Sequence, residues 1–259
     1  MRSGAKSFRK FDNSLLFELT LAKFKIIDHN SFLGILWSLI APVMMFFAMY
    51  FIFKTSFGQK IYAYPLFLLT GIVCVNFFAT ATTYTLKIFF SNREIVINST
   101  IPREMLILSD MFIHAYKFVI ELLLCMILSA LYGLFSWKSV FLILPLIAAY
   151  IAYTIGIGLI LSLIYCFSND IEHIWMMVSR LLFFITPVFY TLDRISPLAQ
   201  KIVYWANPLT PFLISFRHII MGGDGSIFTY VYSLLLGVFI IIGGWCVFAL
   251  LENAGVERV

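Results

Sequence analysis

The chain has 259 residues, of which 62% are hydrophobic and 12% charged, with a formal net charge of +5 and a mean hydropathy of +0.97. A soluble domain of this length would carry roughly a quarter charged residues, and here the apolar residues fall in blocks long enough to cross a bilayer. The composition therefore excludes a soluble protein and predicts an integral membrane protein, and the modest charge does not indicate a nucleic-acid partner.

The N-terminal 30 residues are basic and contain no compact apolar stretch with a small-residue cleavage site, so we expect no cleavable signal peptide. Residues 14–29 have the periodicity of an amphipathic helix, with Glu18 on its polar side. Cationic neighbours suit such a helix to the membrane interface. The alternative is an ordinary helix that packs on a soluble partner.

Charged residues almost vanish after Leu33, where a membrane-spanning segment begins. We predict an all-α membrane protein: an N-terminal amphipathic interface helix and a six-helix bundle over 33–251, in one permease domain covering 1–259. The predicted spans are 33–53, 64–90, 105–131, 139–167, 171–190 and 227–251.

An even number of spans places both termini on the same side of the membrane. Assigning them to the cytoplasm also places the basic N-terminus and the basic residues of the second loop inside, in agreement with the positive-inside rule. Two cytoplasmic connections then stand out, 91–104 and the short acidic 168–173. Read alone, the second could simply cap the helix that follows it.

The external loop 191–226 is the longest non-spanning segment. Its aromatic residues and prolines, including Asn207 and Pro208, indicate short helices that dip into the outer leaflet.

Motifs of soluble catalysis are missing from the sequence. It has no GxxxxGK[ST] phosphate loop, HExxH or GxSxG motif, and its four cysteines stand singly in apolar segments. We therefore expect no catalytic residues, no disulfide and no metal site, and no cofactor in this chain.

A row of polar residues occupies one face of the third span, at intervals of four, three and four residues: Asp110, His114, Lys117 and Glu121. They lie between about 8 and 24 Å along that helix, and Arg180 of the fifth span lies at a similar depth. Intramembrane charges face protein or water. The row is either a proton or ion relay, or a seam that orients helices through Lys117–Glu121 and Arg180–Asp110 pairs.

Aromatic and hydroxyl side chains crowd the first two spans. Stacking faces and hydroxyls together suit a sugar chain, although lipid-facing phenylalanines and helix-packing threonines would give the same pattern. The substrate-channel candidates are Tyr50, Phe53, Phe77, Phe78, Thr80, Thr83 and Tyr84.

The junction between the interface helix and the first span reads SxLGxxWxxxxP, with Ser31, Gly34, Trp37 and Pro42 in register. This motif resembles the N-terminal signature of ABC-2 type permeases, specifically the branch that exports polysaccharides such as O-antigen, capsule and teichoic acid. The resemblance continues through Asp170-Ile171, Thr186-Pro187-Val188 and Asn207-Pro208.

The resemblance implies a homodimer of six-helix subunits in the bacterial inner (plasma) membrane, docked to two copies of a cytoplasmic ABC ATPase that binds ATP and Mg²⁺. The substrate would be a lipid-linked polysaccharide, and membrane lipids would surround the dimer. Coupling to the ATPase would fall on the interface helix and the two cytoplasmic loops, at Glu18, Arg93, Glu94, Asp170, Ile171 and Glu172. Residues Pro187, Asn207 and Pro208 would belong to short re-entrant helices that close the outer end of the pore.

Three alternatives remain open at this point. The nearest is an ABC-2 exporter of drugs or lipids. An ion-coupled secondary transporter would use the charged row, but such proteins often show inverted repeats and broken helices, which we do not find here. A membrane-embedded enzyme would depend on His114 and Asp110.

Overall fold

The computed structural model describes residues 14, 16–21, 23, 36–55, 58, 61–98, 101–223 and 225–256, with only the backbone described for 36–39 and 253–256. The described residues are helical or in connecting turns, and they contain no strand, which confirms the all-α class. The described residues between 14 and 23 are helical as well. The longer helices are α1 (Leu36–Phe53), α2 (Tyr64–Leu86), α5 (Arg103–Leu131), α6 (Trp137–Phe167), α7 (Ile171–Ile185) and α10 (Ile227–Val256).

Short helices fill the connections between these long ones. The predicted cytoplasmic loop that follows α2 contains α3 (Ile88–Ser91) and α4 (Arg93–Asn98). The predicted external loop contains a 3₁₀ turn (Leu192–Arg194), α8 (Pro197–Ala206) and α9 (Leu209–Met221). The prediction of short helices in that loop is therefore correct.

Among the residues that the structure describes, four helices are long and apolar enough to cross a membrane, namely α2, α5, α6 and α10. The 15 residues of α7 extend only about 22 Å at 1.5 Å per residue, less than the roughly 30 Å of a hydrocarbon core. The predicted span 171–190 is thus too long, because Pro187 holds Thr186 in an extended conformation and ends the helix at Ile185. The predicted span 64–90 is likewise interrupted, by a turn at Lys87.

Helix α2 lies at the centre of the bundle, in contact with α1, α5, α6, α7 and α9. Of the residues in its most apolar stretch, 78% are buried, compared with 17% in the corresponding stretch of α10. Two hydrogen bonds fix its neighbours: the Tyr150 hydroxyl of α6 donates to the Cys74 carbonyl at 2.9 Å, and the Trp175 indole of α7 donates to the Thr82 hydroxyl at 3.0 Å. The neighbour that each side chain of α2 faces therefore determines whether that side chain can belong to an internal site.

Helices α6 and α10 form the most extensive helix pair, and glycines allow their backbones to approach closely. A β-carbon added to Gly244 would collide with the backbone of Gly156, and one added to Gly156 would collide with the backbone of Ile240. These close contacts hold α10 against α6.

Candidate functional site

The polar row of the third predicted span lines a cavity of about 530 Å³ between α2, α5, α1 and the N-terminal helix. We call this cavity the α2–α5 groove. Its lining residues are Lys23, Ala41, Asn76, Phe77, Thr80, Tyr84, Asp110, Ile113, His114, Lys117, Phe118 and Glu121.

Helical periodicity explains why these side chains converge. The members of the α5 row recur every three or four residues, so they lie above one another on one face. Asn76, Thr80 and Tyr84 recur every four residues on α2, and the Thr80 hydroxyl donates to the Asn76 side-chain oxygen at 3.4 Å. From Asp110 to Glu121 the row extends about 16 Å along the helix axis. The groove is therefore a polar path that runs along the bundle.

The end of the groove that is nearest the N-terminus of α5 carries an ion pair. Lys23 Nζ lies 3.5 Å from Asp110 Oδ1, and it also donates to the Leu106 carbonyl at 3.4 Å. The Asp110 Oδ2 atom lies 3.8 Å from His114 Nε2. Burial lowers the pKa of Lys23, and the Asp110 carboxylate opposes that shift. This ion pair joins the N-terminal helix to α5.

The ion pairs proposed for the seam are not formed. Asp110 pairs with Lys23, while Arg180 is exposed and lines a separate cavity with Met49 and Phe184. The two cavities share only Asn76 as a lining residue, because α1 crosses α2 between them. Helix α1 thus separates Arg180 from the α5 row.

The deep end of the groove contains Lys117 and Glu121. Glu121 is only 5% exposed, yet it lines the cavity. Within the described part of the chain, neither side chain takes part in an ion pair or hydrogen bond, and the predicted Lys117–Glu121 pair is absent. A buried carboxylate and an ammonium therefore both point into the same cavity.

Aromatic rings form part of the groove wall. Phe77 and Phe118 stack at 4.4 Å between centroids and are almost fully buried. Tyr84 is 62% exposed, and its ring lies 5.0 Å from that of His114. The groove therefore combines apolar ring surface with charged and amide groups.

The structure brings three of the seven channel candidates to this groove: Phe77, Thr80 and Tyr84. Phe78 is instead buried against Tyr153 and Trp175. The Thr83 hydroxyl donates to the Ala79 carbonyl of its own helix. Near the C-terminal end of α1, the Phe53 ring stacks on Phe189 at 4.5 Å and Tyr50 stacks on Tyr64 at 6.2 Å.

The junction motif is only partly described. Ser31 and Gly34 lie outside the described residues, as does the side chain of Trp37, whose backbone is in α1. Pro42 is buried inside α1. The predicted placement of this motif at the junction between the interface helix and the first span remains a prediction.

The candidate coupling residues divide into two groups. Glu18, Arg93, Glu94 and Asp170 are exposed. Ile171 packs against the small apolar cluster of Leu86, Leu161 and Tyr165. Glu172 lies 2.5 Å from Lys87 Nζ, and this hydrogen bond lowers the pKa of Glu172 and raises that of Lys87.

The external candidates belong to one hydrogen-bonded corner. The buried Asn207 amide donates to the Thr186 hydroxyl at 2.7 Å, and its side-chain oxygen accepts from the Leu209 amide at 3.1 Å. Pro208 precedes the first residue of α9. The Pro187 carbonyl accepts a hydrogen bond from Arg217.

Sequence reasoning missed three residues of these sites. Arg217 is 7% exposed and donates to the carbonyls of Phe67, Pro187 and Val188. An arginine inside the apolar stretch 209–221 is the signal that could have identified it. In the sequence, Lys23 is one of several basic residues near the N-terminus, and Asn76 is a single amide in an apolar span.

Comparisons with known proteins agree on one family. The model of the ABC-2 type transporter family matches residues 14–221. Two Klebsiella pneumoniae proteins named "O-antigen export system permease protein RfbA" are each 29% identical over 238 residues, covering 90% of this chain and 90% of theirs. A Myxococcus xanthus protein of the same name is 26% identical over 206 residues, covering 79% of each chain.

Proposed function

The chain belongs to the ABC-2 type transporter family, and from this premise we propose that it is the channel-forming subunit of an ATP-driven exporter. Its cargo is a lipid-linked, O-antigen-like polysaccharide that moves from the cytoplasm across the inner membrane. The observation that carries this proposal is the similarity to permeases named for O-antigen export over 90% of the chain. The resemblance read from the junction motif is thereby confirmed at the level of the family.

ATP hydrolysis occurs in a separate subunit under this proposal. The sequence has no phosphate loop, so two copies of a cytoplasmic ABC ATPase bind ATP and Mg²⁺. Their docking surface consists of the interface helix and the exposed residues of the two cytoplasmic loops, among them Arg93, Glu94 and Asp170. Glu172 transmits motion of the second loop to α2 through Lys87.

The transport unit is a homodimer of this chain, with six spans per subunit and both termini in the cytoplasm. Helices α1 and α7 supply the other two spans, and both contact α2. The external corner of α8 and α9 lies at the outer end of the path, where Asn207 and Arg217 hold it in place.

A polymer longer than the membrane is thick requires a continuous polar path rather than a closed cavity. The α2–α5 groove supports such a path, because its polar groups extend for about 16 Å along α5 and the exposed ring of Tyr84 offers a sliding contact to sugar faces. This subunit makes and breaks no bond in the glycan.

The test is reconstitution. The chain is co-expressed with the ABC ATPase encoded beside it, purified through a tag on the chain, and placed in liposomes with the lipid-linked glycan of the host. We expect the ATPase to co-purify, and glycan to become protected inside inverted vesicles only when ATP is present.

The matched control is the same preparation with an ATPase subunit that cannot hydrolyse ATP. Stimulation of ATP hydrolysis by drugs or by glycan-free lipids, without stimulation by the glycan, would replace this proposal with a drug or lipid exporter. Glycan movement driven by an ion gradient without ATP would indicate a secondary transporter.

A further inference from the structure

A second cavity, of about 280 Å³, lies where α9, the segment after α7 and the first turns of α2 meet the 3₁₀ turn of the predicted external loop. We call it the corner pocket. Its lining includes the charged residues Asp193 and Arg217, the hydroxyl-bearing Thr191 and the apolar Leu192 and Ile214. It shares no lining residue with the α2–α5 groove. The corner pocket is therefore a separate site, which the proposed transport path does not use.

Arg217 brings a buried positive charge to the corner pocket without an acidic partner. It is 7% exposed, and none of the ion pairs among the described residues includes it. Its guanidinium donates four hydrogen bonds, two to the Phe67 carbonyl and one each to the carbonyls of Pro187 and Val188.

Those four bonds do not use the whole guanidinium. It has five N–H groups, so one N–H on Nη1 has no acceptor in the described part of the chain. Carbonyl dipoles also leave the net charge in place, and a buried charge without a counter-ion costs several kcal/mol. The pocket therefore favours an anionic group beside Arg217.

An opposite charge lies at the exposed side of the same pocket. Asp193 belongs to the 3₁₀ turn, is exposed, and forms no ion pair with Arg217. An anion without a cationic neighbour would lie between the guanidinium and this carboxylate, so attraction and repulsion would partly cancel. A ligand that carries an anionic group followed by a cationic group satisfies both residues.

Exposed aromatic side chains indicate that the pocket lies near the membrane–water interface. Tyr62 precedes α2, Trp137 begins α6 and Trp205 lies near the end of α8, and all three are exposed. Tyrosine and tryptophan concentrate at the level of the lipid headgroups. The pocket is at the same end of the bundle, because its lining includes Phe67, the fourth residue of α2. Phospholipids carry their phosphate groups at this level.

We propose that the corner pocket binds the headgroup of a zwitterionic phospholipid with a primary ammonium, that is, phosphatidylethanolamine. The lipid phosphate accepts a hydrogen bond from Arg217 Nη1, and the lipid ammonium donates to the Asp193 carboxylate. Because Arg217 also holds α2 to the segment after α7, the bound lipid stabilises this corner. The bound lipid is distinct from the exported glycan, so failure of glycan export would leave the site standing.

Hydrogen–deuterium exchange measured by mass spectrometry tests this assignment. The purified full-length chain is kept in micelles of a polyoxyethylene detergent, which contains neither phosphate nor sugar. Dioleoyl phosphatidylethanolamine, dioleoyl phosphatidylglycerol, dioleoylglycerol and inorganic phosphate are added in separate titrations. The backbone amides of residues 188–194, which include the 3₁₀ turn, report occupancy of the pocket.

We expect phosphatidylethanolamine to slow exchange in residues 188–194 at a roughly tenfold lower concentration than phosphatidylglycerol does, because only the former makes the charged contact with Asp193. Dioleoylglycerol and inorganic phosphate should give little protection at the same concentrations.

Four results would overturn the assignment. The first is no protection by phosphatidylethanolamine. Equal protection by dioleoylglycerol would mean that only acyl chains enter, and equal protection by inorganic phosphate would mean a site for free anions. Equal protection by phosphatidylglycerol would remove the contact between the ammonium and Asp193.

Variants locate the site without breaking the hydrogen bonds of Arg217. Asp193→Asn should remove the preference for phosphatidylethanolamine over phosphatidylglycerol. Ile214→Trp should fill the pocket and abolish the protection by either lipid. The matched controls are Asp170→Asn and Ile202→Trp, at exposed positions that do not line the pocket. Lipid protection that is unchanged in both pocket variants would also overturn the assignment.

Discussion

The Lys87 ammonium donates a hydrogen bond of 2.5 Å to the Glu172 carboxylate, and this contact joins the end of α2 to the first turn of α7. The Tyr165 hydroxyl lies 3.5 Å from the other carboxylate oxygen. Glu172 belongs to the short predicted cytoplasmic loop 168–173, to which the family resemblance assigns coupling. The contact therefore links that loop to the most buried helix of the bundle.

Charge reversal tests this link. Lys87→Glu and Glu172→Lys should each reduce ATP-dependent glycan export, because each places like charges where the two helices meet. The double variant should recover most of the export, since it restores an opposite pair in the same place. Export by the reconstituted complex is the measurement.

The control for this pair is Glu94→Lys, which makes the same change at an exposed position of α4. It should not be rescued by Lys87→Glu. If the double reversal exports no better than either single variant, the contact does not couple the loop to α2.

The same pair predicts a pH dependence of stability. The hydrogen bond to Lys87 lowers the pKa of Glu172 below its ordinary 4.5, so the stabilisation from Glu172 is present above pH 4.5 and is lost as the pH falls through the lower folded value. The hydrogen bond to Glu172 raises the pKa of Lys87 above 10.5. The stabilisation from Lys87 is therefore present below pH 10.5 and is lost as the pH rises through the pKa of Lys87 in the folded protein.

A double-mutant cycle measures this dependence. The coupling between Lys87→Met and Glu172→Gln, taken from thermal unfolding in detergent, should be constant between about pH 5 and 10 and should vanish at lower pH. A coupling energy that persists at pH 2 would show that it does not come from the ionised carboxylate of Glu172.

Arg217 should be essential for the stability of the external corner. Its guanidinium holds the carbonyls of Phe67, Pro187 and Val188, so Arg217→Met would leave buried acceptors unpaired and lower the free energy of unfolding by about 3 kcal/mol or more. Arg217→Lys should be intermediate, because one ammonium cannot reach all of these carbonyls.

The measurement is the unfolding transition of the purified chain in detergent. Arg93→Met serves as control, because Arg93 is exposed on α4, and it should change the free energy of unfolding by less than about 0.5 kcal/mol. Equal stability of Arg217→Met and the wild type would show that water or lipid replaces the guanidinium.

Two adjacent glycines of α10 should respond differently to the same substitution. A β-carbon on Gly244 would collide with the backbone of Gly156 on α6, whereas one on Gly243 would meet nothing within 4 Å. Gly244→Ala should therefore destabilise the α6–α10 pair by about 1–3 kcal/mol, and Gly243→Ala should be tolerated. Thermal unfolding of both variants in one detergent makes the comparison direct.

Similar melting temperatures for the two glycine variants would show that α10 can shift away from α6 at little cost. The close approach of the two helices would then be incidental to stability.

The sequence alone predicted what depends on local pattern. Hydropathy blocks gave the all-helical class, and the spacing of Asp110, His114, Lys117 and Glu121 placed these residues on one helical face, because both follow from the helix period. The junction motif around Gly34 and Trp37 indicated the family, which the comparisons confirm. The early end of α7 could also have been read from Pro187.

Only the tertiary structure decided which faces meet. Asp110 pairs with Lys23 across 87 positions of sequence, Phe78 is buried while its neighbour Phe77 lines the groove, and Arg217 reaches the carbonyl of Phe67. Helical periodicity fixes a residue's direction relative to its own axis only. The rotation of each helix against its neighbours depends on side-chain packing across distant segments, and that packing determines the composition of the groove.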